Sequence, residues 1–299
     1  MSERYYNFAT AVSGWIGVWF FSFSAWFVAT GYFLFFPARV SRSMRFYRAL
    51  FPQRGRLYAL SRAWRQYHMF TTVFVDRFRL RKYGSLPYTS KGRHYLDEAL
   101  KGKTGGIILM SHMGNWEVAA HILKGERRDM DLLLIMGVRD KEQIERRQKE
   151  SLAESGVRVM AAGQADGSPL DILEPLRFLK EGGLVSLTGD VIWTENQRAV
   201  SVDFLGHRAD LPETPHMLAR VSGAPIFVLF AFRRADGSYD FSITPLEQVT
   251  AASRADRQAA IQRSAQRYAD LIAEKLREYQ DQWYHFDLRI FAGNDAIGD

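Results

Sequence analysis

The chain has 299 residues, enough for one large domain or two small ones with a sizeable core. It carries a formal charge of +7 with 14% aromatic residues, which suits an anionic membrane surface or an acidic partner; with no single arginine block and no zinc-finger or RNP-like spacing, no nucleic acid is expected. There is no cysteine, which excludes disulfides, cysteine catalysis and thiolate metal sites.

The first element is a charge-free run of 34 residues, Tyr5 to Ala38. A membrane span needs about 20 apolar residues, so the run allows either a tilted crossing or a path within one leaflet. Trp15, Trp19, Trp26, Tyr5, Tyr6 and Tyr32 suit interfacial belts. The run is too long for the core of a signal peptide and lacks the polar face of a globular surface helix. Arg39, Arg42, Arg45 and Arg48 follow it, so the positive-inside rule puts the rest of the chain in the cytoplasm.

Residues 39–83 read as helical and basic. Arg42, Arg45 and Arg48 share one helix face, either to hold anionic headgroups or simply to be solvated. His68 and Asp76 read as packing or ion-pair residues. From residue 105 short apolar runs alternate with helical patterns. Strands are expected at Ile107–Met110, Leu132–Met136, Val157–Met160, Leu184–Leu187, Ile226–Phe232 and Tyr239–Ile243. Helices are expected at Asn115–Lys124, Lys141–Glu154, Leu170–Lys180 and Thr214–Val221. Ile261, Ala265, Tyr268, Ile272, Leu276, Tyr279 and Trp283 recur at steps of three and four and mark a closing helix. The alternation predicts an α/β fold: a central, mostly parallel sheet flanked by helices, preceded by the hydrophobic membrane-anchor helix.

Several chemistries are missing. There is no G-x-S-x-G elbow, no G-x-G-x-x-G fingerprint and no H-E-x-x-H. Gly102-Lys103-Thr104 has the end of a P-loop, but the leading glycine position is Asp97. No metal site is expected.

What remains is Ser111-His112-Met113-Gly114-Asn115-Trp116-Glu117, between an expected strand and an expected helix. An alcohol attacking an acyl thioester needs a base to take its proton, and histidine is the usual one. A carboxylate on the other ring nitrogen fixes the tautomer. On one helix, His112 and Glu117 would point about 140° apart. They can meet if His112 lies in the turn and Glu117 in the first helical turn, with Asn115 as N-cap. A thioester is already activated, so no nucleophilic side chain is needed. An isolated H-x4-E is more often a structural histidine capped by a glutamate, and the context has to decide.

The stretch resembles the H-x4-D/E motif of the bacterial lipid A biosynthesis acyltransferases, a membrane-anchored branch of the lysophospholipid acyltransferase-like group. Other pieces fall in that family's order: Phe74-Val75-Asp76-Arg77, Arg139, Gly156-Val157-Arg158-Val159, Gly189-Asp190, Val202-Asp203-Phe204-Leu205-Gly206, Leu218-Ala219-Arg220 with Gly223-Ala224-Pro225-Ile226, and Asp281-Gln282-Trp283-Tyr284. Leu211-Pro212-Glu213-Thr214-Pro215 and Asp140-Lys141-Glu142-Gln143-Ile144-Glu145 depart from its pattern, as in a divergent member acting on another glycolipid or an aryl-polyene-type lipid.

The resemblance implies an anchor over residues 1–38 and an acyltransferase domain over 39–299, with a basic helical lead-in at 39–104 and the α/β catalytic core at 105–299. It implies His112 as general base and Glu117 as its orienting carboxylate. Arg139, Asp190, Asn115, Phe204 and Gly206 are the implied substrate-side residues: Arg139 for a phosphate, Asp190 at a strand end, Asn115 shaping the turn, Phe204 and Gly206 lining or shaping an acyl groove. No cofactor is implied beyond an acyl carrier protein or acyl-CoA thioester as co-substrate. The acceptor is a membrane lipid or glycolipid, and the setting is the bacterial inner membrane with the catalytic domain on the cytoplasmic face. A hydrolase using the same base, or a non-catalytic lipid-binding protein, are the alternatives.

Overall fold

The computed structural model describes residues 17–126, 130–137, 157–162, 170–193 and 197–284. The charge-free run gives helix α1, Val18–Phe35, and Pro37 starts α2, Pro37–Leu50, where its missing N–H costs nothing. The basic lead-in continues as α3, Arg56–Tyr83, which stops at Gly84 in the left-handed conformation. A short strand β1, Tyr88–Lys91, and helix α4, Arg93–Lys101, precede the sheet centre.

Strand β2, Gly106–Met110, is buried at every position, as a central parallel strand covered on both faces should be. Its side chains alternate between two cores. Ile107 and Leu109 pack with Phe178, Leu218, Tyr268 and Ile272, whereas Ile108 and Met110 pack with Leu96, Val118, Ala119 and Ile122. The remaining elements are α5, Trp116–Glu126; β3, Leu132–Gly137; β4, Arg158–Ala162; α6, Leu170–Lys180; β5, Leu184–Thr188; β6, Ala199–Phe204; β7, His207–Pro212; α7, Thr214–Ser222; β8, Ile226–Arg233; β9, Tyr239–Pro245; and α8, Arg257–Glu278. A 3-10 turn at Gln280–Gln282 follows α8.

The main sheet has the order β1-β9-β8-β2-β5-β3-β4. The β8–β9 pair is antiparallel and the other pairs are parallel. Every strand expected from the apolar runs is present, as are the helices of α5, α6, α7 and α8, although α8 stops at Glu278, so Tyr279 and Trp283 of the expected closing-helix pattern lie beyond it. The expected helix over Lys141–Glu154 lies outside the described residues.

Three strands are additional. β1 is a four-residue polar edge strand, too short and too exposed to leave an apolar signature. β6 and β7 form a separate antiparallel hairpin, whose turn residues Leu205 and Gly206 have φ of +54° and +80°. Both central residues at positive φ is the primed two-residue turn that matches strand twist.

Candidate active site

The turn after β2 is fixed from three sides. The Tyr284 N–H donates to the His112 carbonyl at 2.8 Å, the Gly114 N–H to the Gln282 carbonyl at 2.7 Å, and the Asn115 N–H to the Ala231 carbonyl at 2.9 Å. Gly114 sits at φ +68°, and a Cβ there would lie 2.1 Å from the Ala231 oxygen, so only glycine lets the turn approach β8 this closely. Asn115 then caps α5: its Oδ1 accepts the Val118 N–H at 3.2 Å. Glu117 falls in the first turn of α5, where the helix dipole favours a carboxylate.

The register of two neighbouring strands assembles the next contact. Met110 of β2 pairs with Thr188 of β5, so His112 and Asp190 each stand two residues beyond paired strand ends. This is the C-terminal edge of parallel strands, where α/β sites form. The Asp190 carboxylate accepts the His112 backbone N–H at 2.7 Å on Oδ2 and lies 2.9 Å from His112 Nδ1 through Oδ1. Trp283 Nε1 also donates to Oδ2, at 3.3 Å. The Asp190 side chain is fully buried, while that of His112 is 29% exposed. An ionised carboxylate only accepts, so in the neutral imidazole Nδ1 carries the proton and Nε2 the lone pair. The indole ring of Trp193 lies 6.0 Å from the imidazole, centroid to centroid.

Glu117 is held by Arg77 of α3. The guanidinium Nε lies 2.9 Å from both carboxylate oxygens, and Nη2 is 2.5 Å from Oε2. This two-nitrogen grip is the strong form of the pair, and both side chains are nearly buried. One turn on, burial pushes the His121 imidazole pKa below its ordinary value; Glu117 opposes that shift and Arg77 adds to it.

Beside it lies a second buried cluster. Asp76 is fully buried and accepts from Arg79 at 2.7 Å, Arg233 at 2.6 Å and the Tyr239 hydroxyl at 2.8 Å. The Tyr239 hydroxyl in turn accepts from Asn115 Nδ2 at 3.2 Å. Burial, and then the charge of Asp76, push the Tyr239 phenol pKa up, so it stays a neutral donor. Asp76 is thus an ion-pair residue, and His68 packs against Trp64 and Trp26, as their sequence contexts suggested.

The residues expected at the site are distributed as follows. His112, Asn115, Glu117 and Asp190 come together at the C-terminal edge of β2 and β5. The carboxylate at Nδ1 is Asp190, where the sequence spacing suggested Glu117. Phe204 is buried edge-on against Trp283 at 5.9 Å, and Gly206 is at the exposed hairpin turn. Arg139 lies outside the described residues. Three residues of the arrangement have no local sequence signal that assigns them to it: Arg77, Trp283 and Tyr284. Their signals, Phe-Val-Asp-Arg and the closing Gln-Trp-Tyr, lie 35 and 171 residues from His112, and no local spacing links them to it.

No curated protein matches the sequence. A family model described as bacterial lipid A biosynthesis acyltransferase matches residues 58–289. That stretch begins near the start of α3 and contains the whole His112–Asp190 arrangement and both clusters around it; α1 and α2 lie before it. With well over half of its length matched, the chain belongs to the bacterial lipid A biosynthesis acyltransferase family.

Proposed function

We propose that the protein moves a fatty acyl chain from an acyl carrier protein or CoA thioester to a hydroxyl or amine of a membrane lipid or glycolipid, with His112 as general base. Family membership implies acyltransferase activity on lipids. The observation that carries the residue assignment is the buried Asp190 carboxylate at Nδ1 of a partly open histidine. That contact leaves Nε2 as the proton acceptor.

In the proposed reaction Nε2 takes the acceptor's proton as its oxygen or nitrogen attacks the thioester carbonyl. The tetrahedral intermediate collapses, the C–S bond breaks, and the imidazolium returns the proton to the leaving thiolate. Asp190 holds the ring in the correct tautomer and offsets the charge that develops on it. Glu117 belongs to the site as the carboxylate that Arg77 fixes on the first turn of α5, beside the reacting edge. Arg139 is proposed, on the family resemblance, to bind a phosphate of donor or acceptor. Phe204 supports Trp283, which donates to Asp190. The setting is the inner membrane, with the catalytic domain on the cytoplasmic face, as the family resemblance implies. The acidic acyl carrier protein suits the chain's excess of positive charge.

The test is acyl transfer in membranes from a labelled acyl carrier protein thioester. His112→Ala is expected to reduce transfer by about 10²–10⁴-fold, the usual worth of a positioned general base. Undiminished transfer by the variant overturns the assignment. Lipid mass spectrometry of cells with and without the protein identifies the acceptor.

A further inference from the structure

Helix α1 has 18 residues, a length of roughly 27 Å, close to the ~30 Å hydrocarbon core of a bilayer. By length and composition it could cross. Its neighbours in the fold argue otherwise.

α1 lies antiparallel along α3. Phe21 stacks on Phe78 with centroids 5.5 Å apart, Thr30 Oγ1 meets His68 Nε2 at 3.1 Å, and Phe33 meets Trp64 at 5.1 Å. The other side of α3 is bound to the catalytic domain along most of its length. Tyr58 donates to Gln280 at 2.9 Å, Arg62 pairs with Asp281 at 3.1 Å, and Gln66 donates to the Trp283 carbonyl at 2.6 Å. Further along, Asp76 pairs with Arg233 and Arg77 with Glu117. These attachments extend over about 28 Å of helix. If α1 stood across a bilayer, α3 would stand beside it. Asp76, Arg77 and Arg79 flank Phe78, and Arg62 and Arg65 flank Trp64. All five charges and their partners would enter hydrocarbon, where each is strongly disfavoured.

The outer face of α1 suits a different placement. Trp19, Phe23, Phe27 and Leu34 fall within about 80° of one another at 100° per residue, opposite the buried Phe21, Ala25 and Ala29. Trp19 is 63% exposed, and at the far end Phe35 is 80% and Leu57 83% exposed. Leu57 and Leu60 lie seven and four residues before Trp64, on the face of α3 that meets α1. Charge complementarity names the occupant. No acidic residue occurs between Glu3 and Asp76, while eight arginines lie between 39 and 65. Arg39, Arg42, Arg48, Arg54 and Arg56 are exposed, and the Arg39 guanidinium lies 5.4 Å from the Phe36 ring centroid.

We propose that α1 is an in-plane anchor: it lies along one leaflet of an anionic bilayer with its aromatic stripe buried to shallow depth, and the arginines of α2 and the α2–α3 connection hold the headgroups. The inference rests on the membrane setting of the proposed function, but it concerns segments outside the family match and is read without any acyl transfer.

The chain has no cysteine, so single cysteines report cleanly. Trp19→Cys, Phe23→Cys, Phe27→Cys and Leu34→Cys are made in the full chain, labelled with an environment-sensitive fluorophore, and added to phosphatidylethanolamine–phosphatidylglycerol vesicles containing doxyl lipids. The expected result is one shallow depth for all four labels, on the side of addition. Depth that passes through the midplane between positions 19 and 34 overturns the proposal in favour of a span. Labels that stay fully open to an impermeant aqueous quencher overturn it in favour of a soluble face. For the charge component, the triple variant Arg39→Gln, Arg42→Gln, Arg48→Gln is expected to partition on the order of 10²-fold less to these vesicles, at roughly a factor of five per arginine. Equal partitioning of the native chain to neutral vesicles overturns that component.

Discussion

Asp190 accepts from His112 N, His112 Nδ1 and Trp283 Nε1, and its charge is what sets the ring. Asp190→Asn keeps the shape but offers Nδ1 an N–H donor. The ring then turns to the tautomer with the proton on Nε2, where it cannot accept another. Transfer is expected to fall by about 10²–10⁴-fold with little change in melting temperature. Glu117→Gln removes charge from the Arg77 pair without touching Nδ1, and comparing the two variants in the same assay identifies the orienting carboxylate. A smaller loss for Asp190→Asn than for Glu117→Gln contradicts the assignment to Asp190. Gly114→Ala places a Cβ against the Ala231 oxygen at positive φ, so it is expected to lose more than about 2 kcal/mol in denaturant unfolding.

At the scale of elements, α3 aligns the turn after β2. Two adjacent residues act on opposite ends of one short segment. Arg77 holds Glu117 in the first turn of α5, and Asp76 reaches the cap residue Asn115 through the Tyr239 hydroxyl. Removing one partner of a buried network strands the others, so Asp76→Ala is expected to cost about 3–5 kcal/mol, leaving Arg233 and Arg79 unpaired there. Arg77→Ala and Glu117→Ala are expected to be non-additive, with a coupling of about 1–3 kcal/mol in a double-mutant cycle of unfolding free energies. Additive costs contradict the pairing. The β6–β7 hairpin shows how an element was legible yet unread. Val200, Val202 and Phe204 alternate inward, then Gly206 turns the chain, and Ala209 and Leu211 return on the same face. Phe204 faces Trp283 for the simple reason that alternate strand residues share a face.

For the whole molecule, one buried histidine sets an acid limit on stability. His216 of α7 donates to or accepts from Ser264 of α8 at 2.8 Å, and its Nε2 has no partner among the described residues. Burial holds its pKa down at about 4, against an ordinary 6.5. Between these values the unfolded chain binds a proton that the folded chain refuses, so stability falls as pH drops from about 6.5 to about 4. The loss is on the order of 3 kcal/mol from this group. His216→Gln is expected to flatten that part of the melting temperature against pH profile; an unchanged slope rules the histidine out as its source.

The sequence by itself determined the charge-free helix, the central apolar strands and the histidine of the turn after β2, because each is written in local periodicity or in the residue types of one short turn. Asp190 was legible as a strand-end carboxylate, but its contact with Nδ1 was not. That contact depends on β5 pairing with β2 in register, across 78 residues of chain. The same holds for Arg77 and Glu117, which are 40 residues apart. Spacing along the chain could offer His112 only its near neighbour Glu117, since a helix or turn brings together only residues a few positions apart. Tertiary structure alone decided which carboxylate meets the ring and what lies behind α1, because strand order and helix docking are set by burial of whole faces.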